Sequence, residues 1–354
     1  MMKRITALLL AFLMLVSLAA CGSQPAQEPV STSGATSGND DAFKAAMITD
    51  VGGINDQSYN TMSWAGMQKA QEEFGIEVKY YESKTDADYE VNMITAIDEG
   101  YDLIICVGYL MVDALTEVAS QYPDTQFAII DASVDLPNVT GIKFASEQCS
   151  YLVGVIAATM SKTGNIGLVM GGTGEAMNLF AYGYYAGALD TNPDITVQAY
   201  NANSYTDVAG GKSAALNMFT NGADVVYQVA GSTGLGVIEA AKEKGLYAIG
   251  VEVDQSYLAP EAVISSALRL IDNAVVNVCQ QAMEGTLEGG IAMYDLASGC
   301  VGYAESDLLS QEALDAVKAA QEKIVSGEIV VPTNNDDFVA AYGAGLYTLD
   351  EALN

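Results

Sequence analysis

The chain has 354 residues, with 14 Lys and Arg against 45 Asp and Glu, a net charge of -31 and a pI near 4.1. Nucleic acid needs a basic face, and an acidic surface repels anionic membranes and polyphosphates, so those partners are excluded. Half of the residues are hydrophobic and no histidine is present, so the chain can bury a large core but cannot use imidazole as base, nucleophile activator or metal ligand.

The first residues read as an address. Lys3 and Arg4 precede a nearly unbroken apolar run from Ile5 to Ala20. That run is shorter than the roughly 20 residues a spanning helix needs, and it fits the apolar core of a signal peptide over residues 1–20. It ends Leu18-Ala19-Ala20-Cys21, which resembles the lipobox of bacterial lipoproteins and implies lipidation of Cys21. Two acyl chains suffice for stable anchoring where one is marginal. Residues 21–42, rich in Ser, Gly, Pro and Thr, then read as a flexible tether. Cys106, Cys149, Cys279 and Cys300 lack metal-site spacing, and Cys106 sits in an apolar run where a buried free thiol is expected.

From residue 43 apolar runs of strand length alternate with amphipathic segments. Strands are expected at 43–49, 76–81, 103–107, 127–130 and 139–144, and a second set at 166–170, 195–200, 225–230 and 247–251. Helical segments are expected at 58–74, 89–97, 114–121, 150–161, 214–219, 236–244 and 310–326, the last followed by a short strand-like stop at 327–332. Continuous apolar strands separated by helices imply parallel sheets covered on both faces, and two sets imply two doubly wound α/β domains. Ligands in such sheets sit beyond the carboxyl ends of the strands.

Those ends carry recurring chemistry. After the first strand comes Asp50-Val51-Gly52-Gly53-Ile54-Asn55-Asp56-Gln57-Ser58-Tyr59-Asn60, where Asp56 or Ser58 can cap the next helix. The fourth strand ends in Asp131; later segments hold Asn178 and Phe180, Gly231 in a glycine-rich turn, and Glu252 with Asp254. Each alone is as well explained by a cap or by core packing, and the recurrence at one end of several strands supports a binding cleft. Gly210-Gly211-Lys212-Ser213 ends like a phosphate loop but lacks its first glycine, and 169–175 lacks dinucleotide spacing.

Residues 50–60 match the pattern D-x-G-G-x-x-D-x-S-[FY]-N. With Gly183-Tyr184-Tyr185-Ala186-Gly187, the run Gly222 to Gly236, Gly250-Val251-Glu252-Val253-Asp254-Gln255 and Ser266-Ala267-Leu268-Arg269, the chain resembles the basic membrane protein family of substrate-binding lipoproteins, which includes the purine-nucleoside-receptor-A-like proteins. Glu252 and Arg269 depart from the Asp and Lys of that pattern.

The resemblance implies a type I periplasmic-binding-protein fold. Two lobes, 43–147 with about 268–288 and 148–267 with about 289–332, would be joined by a three-segment hinge crossing near 145–150, 252–270 and 285–292, with residues 333–354 as a tail. It implies a lipid-anchored, extracytoplasmic protein that carries nucleosides, chiefly purine ones, to the permease and ATPase of an ABC importer, with no cofactor or metal. Tyr59 and Phe180 would stack on the base, Asp131, Glu252 and Asp254 would accept from ribose hydroxyls, and Asn55 and Asn178 would meet base edges. Asp50 and Gly231 would line the cleft, and Arg269 would orient a carboxylate or bond a sugar oxygen. A sugar or other small polar ligand is the alternative within binding proteins, and a hydrolase using Asp131 and Glu252 is the alternative outside them.

Overall fold

The structure is a computed structural model and describes residues 42–346. The signal peptide, Cys21 and nearly all of the tether lie outside the described residues. In chain order the elements are β1 (Lys44–Ile48), α1 (Tyr59–Phe74), β2 (Glu77–Tyr81), α2 (Ala87–Asp98), β3 (Leu103–Cys106), α3 (Val112–Gln121), β4 (Gln126–Ile130) and β5 (Val139–Phe144). Then come α4 (Ser146–Met160), β6 (Asn165–Met170), α5 (Glu175–Thr191), β7 (Thr196–Asn201), α6 (Val208–Thr220), β8 (Val225–Val229), α7 (Ser232–Lys244) and β9 (Tyr247–Glu252). The last third holds β10 (Val263–Arg269), α8 (Ile271–Met283), β11 (Gly290–Tyr294), β12 (Val301–Tyr303), α9 (Gln311–Val325) and α10 (Asn335–Tyr342).

The strands form two sheets of identical logic. The first runs β11-β5-β4-β3-β1-β2 and the second β12-β10-β9-β8-β6-β7. Pairing is parallel throughout, except that β12 runs antiparallel to β10. Composition sets the order. The all-apolar Leu-Ile-Ile-Cys of β3 is wholly buried at the centre, while β2 and β7 carry charged or amide residues and lie at edges. Each sheet has its switch point beside its first strand, so the carboxyl ends of β1 and β6 open toward ligand space.

Helix packing uses glycine as a spacer. A Cβ on Gly183 would lie 2.1 Å from the Glu147 carbonyl oxygen, and one on Gly187 would lie 2.1 Å from that of Tyr151. The Gly183-to-Gly187 motif therefore seats α5 against the backbone of α4. Gly66 does the same for α1 against α8, at 2.6 Å from the Asp272 carbonyl.

Four features differ from the sequence expectations. The chain crosses between sheets after Phe144 and after Arg269, but its third crossing follows Tyr294 rather than lying near 285–292. The strand β11, placed by sequence in the second lobe, pairs with β5 and completes the first sheet. Residues 327–332 form no strand and follow α9 as a turn and an irregular segment. The supposed tail folds back as α10, where Phe338 is buried against Tyr182 and Tyr185. All four described cysteines are free; Cys106, Cys149 and Cys279 are buried.

Candidate functional site

The carboxyl ends of the two sheets face each other across a cleft with two adjoining chambers. The inner chamber encloses about 600 Å³ of space, open solvent at its mouth included. From the first lobe it takes Asp50, Tyr59, Tyr109 and Asp131; from the second, Phe180, Tyr205, Glu252 and Arg269. An outer chamber of about 1460 Å³, measured the same way, includes Lys143, Ser146, Glu147 and Asn334, and shares Tyr109, Asp131 and Ala176 with the inner one.

The turn after β1 is built by two aspartates. Asp56 Oδ1 accepts from the N–H groups of Ser58 and Thr61, and Oδ2 from the N–H of Asn60, so Asp56 rather than Ser58 caps α1. Asp50 Oδ1 accepts from Gly52 N–H at 2.8 Å and from Asn60 Nδ2 at 2.6 Å. Burial pushes the Asp50 carboxyl up to about 6, offset by the Asn60 hydrogen bond and reinforced by the neighbouring Asp56 charge.

Across the cleft, Arg269 at the end of β10 is 1% exposed. Its Nε and Nη2 donate to the two oxygens of Glu252 at 2.7 and 2.6 Å, a bidentate fork that a lysine cannot make. Its Nη1 donates to Asp131 Oδ1 at 2.6 Å and to Ser146 Oγ at 3.1 Å. The Asp131 bond joins the two lobes. The guanidinium also lies 4.9 Å from the Phe180 ring centre and 5.5 Å from that of Tyr59. Burial raises the Glu252 carboxyl, and the Arg269 charge draws it back. Asp131 and Glu252 both adopt left-handed backbone, with φ of 64° and 70°. Non-glycine residues are held there only when the surroundings enforce it, and such positions cluster at functional sites.

The lobes also touch through neutral groups. Ser58 Oγ donates to the Val251 carbonyl, Gln255 Nε2 to the Gln57 carbonyl, and the Tyr109 and Tyr205 hydroxyls lie 2.9 Å apart. This is a closed arrangement. The Tyr59 hydroxyl is buried without a hydrogen-bond partner, and burial together with the nearby Asp131 charge pushes its pKa well up.

Of the residues singled out by sequence, Asp50, Tyr59, Asp131, Phe180, Gly231, Glu252 and Arg269 line the inner chamber. Three others do not. Asn55 is exposed on the turn, and its neighbour Asn60 holds the buried amide position instead. Asn178 is half-buried on α5 but lines neither chamber. Asp254 is exposed and accepts from Ser256 N–H, while Gln255 turns inward to bind Gln228, Val251 and Gln57. Tyr109 and Tyr205 were missed, although each follows a recognised strand and so carried the same positional signal as Asp131. The glycines at 171–172, which miss dinucleotide spacing, are explained by Tyr205: a Cβ on either would lie 2.5 Å from its side chain.

Two lobes of repeated α/β topology, linked by three crossings and shut over a polar and aromatic chamber, define a solute-binding protein of the type I periplasmic-binding-protein fold. Residues 43–335 match the family described as ABC transporter substrate-binding protein PnrA-like, and the chain belongs to that family. It is 36% identical to basic membrane protein A of Borreliella burgdorferi, covering 87% of this chain and 93% of that protein. It is 34% identical to the ABC transporter nucleoside-binding protein BmpA of Lactococcus lactis, over 82% of this chain and 89% of that one. Among solved structures, an ABC transporter solute-binding protein from Aeropyrum pernix superposes with a TM-score of 0.77 at 28% identity, covering 84% and 96% of the two chains.

Proposed function

We propose that this protein is a lipid-anchored, extracytoplasmic receptor that captures nucleosides, purine ones foremost, and hands them unaltered to the permease and ATPase of an ABC importer. The observation that carries the reading is the polar inventory of the inner chamber. Four of the five N–H groups of its single guanidinium are spent on Glu252, Asp131 and Ser146. What faces the space is acceptor-rich: Asp50, Asp131 and the unpartnered Tyr59 hydroxyl, between aromatic rings from both lobes. A fitting ligand brings hydroxyl or amino donors and a flat face, and brings no negative charge. A nucleoside meets all three conditions, whereas its phosphate esters fail the third.

In this reading Tyr59 and Phe180 border the base, Asp131 and Asp50 accept from the ligand, and Arg269 with Glu252 holds Asp131 in place. Closure follows because each lobe holds half of the contacts, so ligand favours the closed state. The relative named as nucleoside-binding supports the ligand class, and the Cys21 lipobox supports the anchor. Asp131 and Glu252 share one guanidinium, an arrangement suited to holding a ligand in place.

Native mass spectrometry of the purified protein, followed by calorimetric titration with nucleosides, nucleotides and sugars, tests this. Retained nucleoside and micromolar or tighter nucleoside affinity are expected, with no free base released on incubation. Tight sugar binding with failure of every nucleoside overturns the ligand class, and release of free base overturns the binding-only reading.

A further inference from the structure

The inner and outer chambers meet at Tyr109, which lines both. Its ring leaves the first lobe just after β3, where Gly108 at φ 113° turns the chain toward the cleft. Its hydroxyl reaches the second lobe and meets that of Tyr205 at 2.9 Å. Tyr205 is itself fixed: its ring is seated over the backbone of Gly171 and Gly172, and its carbonyl accepts from Thr233 N–H. A Cβ on Gly172 would lie 2.8 Å from the Tyr109 hydroxyl, so the seat fits both phenols and leaves no slack. Burial raises both hydroxyl pKa values, so both groups stay protonated and the bond persists at neutral pH.

We propose that Tyr109 is a size-selecting partition, which confines ligand to the inner chamber and bars compounds whose bulky extension would have to pass into the outer one. A phenol has few rotamers and costs little entropy to fix, so a ring pinned by a bond from the opposite lobe is a firm wall. The wall is complete only when the lobes are shut, so it screens ligands at closure. Of the three residues that line both chambers, Tyr109, Asp131 and Ala176, Tyr109 alone brings an aromatic ring to the shared boundary, so its truncation removes most of the side-chain bulk there. The hydroxyl adds rigidity, but the ring itself is the barrier.

The choice of probe rests on the nucleoside reading. Calorimetry on the full chain compares an unsubstituted purine nucleoside with its N6-benzyl and 5′-O-benzyl derivatives, for the native protein, Tyr109→Ala and Tyr109→Phe. The native protein is expected to bind both derivatives at least ~100-fold more weakly than the parent, a ratio set by steric exclusion. Tyr109→Ala is expected to bring at least one derivative within ~10-fold of the parent, while Tyr109→Phe keeps the native ratio. The ratio, rather than either affinity alone, separates a partition from a merely structural residue. Native acceptance of both derivatives, or an unchanged ratio in Tyr109→Ala, overturns the proposal. If the native protein binds no nucleoside, the ligand class fails by itself. The same ratios are then read with the compact ligand identified by native mass spectrometry and its benzylated derivative, and they decide for or against the partition as before.

Discussion

The two lobes share one strand order yet contribute opposite things to the cleft. The first lobe supplies acids secured by short local turns: Asp56 caps α1, and Asn60 ties Asp56 to Asp50. The second supplies a long-range fork, with Arg269 of β10 gripping Glu252 of the neighbouring β9. Each half is therefore assembled before the lobes meet, and closure adds only a few polar contacts, chiefly Arg269 to Asp131 and Tyr109 to Tyr205. Preassembled halves lose little freedom on closing, which suits a receptor that must both grip and release.

The largest effect is expected at Arg269. Replacing Arg269 with Met strands Glu252 and Asp131 as buried charges, and unfolding in urea should show a loss of about 3–5 kcal/mol. Arg269→Lys keeps the charge but not the fork, and its loss should be clearly smaller. A wild-type midpoint for the Met variant would mean that the fork does not organise the second lobe.

Next is the glycine seam. Gly183→Ala sets a methyl 2.1 Å from the Glu147 carbonyl, so α4 and α5 must separate. A loss of about 1–3 kcal/mol is expected. Hydrogen exchange should place the loosening in the second lobe, with the amides of β1 and β3 unaffected.

The first lobe responds to pH through Asp50. Asp50 is held near 6 against an ordinary value of 3.8, so the folded state binds its proton more tightly than the unfolded state does. The stability this gives is fully present below 3.8 and is lost as pH rises through about 6. Glu147, pushed up to about 7 from 4.5, acts in the same direction in the hinge. Asp50→Asn should flatten the fall between pH 4 and 6 by on the order of 2 kcal/mol, leaving the Glu147 part. Urea midpoints at unit pH steps check this, and parallel curves for the two proteins would refute it.

The smallest effect belongs to Lys143 and Glu175, whose charged atoms lie 3.9 Å apart across the cleft mouth with Glu175 largely exposed. Lys143→Ala should shift ligand affinity by less than about twofold, and added salt should erase even that.

Nine of the twelve described strands were legible: seven carry apolar runs that are largely buried, and the edge strands β2 and β7 still carry Val and Tyr in strand-length runs beside helical segments. The remaining three hide for separate reasons. Ser265 and Ser266 interrupt β10, β11 is an edge strand with Ile291 and Met293 exposed, and β12 spans three residues. The third hinge was misplaced for the same cause, since β11 gave no strand signal. At the site, residue type and strand end identified Asp50, Asp131 and Glu252 as facing the cleft. Helical phase and turn direction, which sequence does not display, decided between Asn55 and Asn60 and between Asp254 and Gln255. The Gly183-to-Gly187 motif shows the opposite hazard: a pattern quoted as a family signature serves helix packing here.

The left-handed backbone at Asp131 and Glu252 has an evolutionary consequence. A glycine at either position would relax the main chain but would leave the buried Arg269 short of a carboxylate, so neither acid can be exchanged alone without a loss of stability.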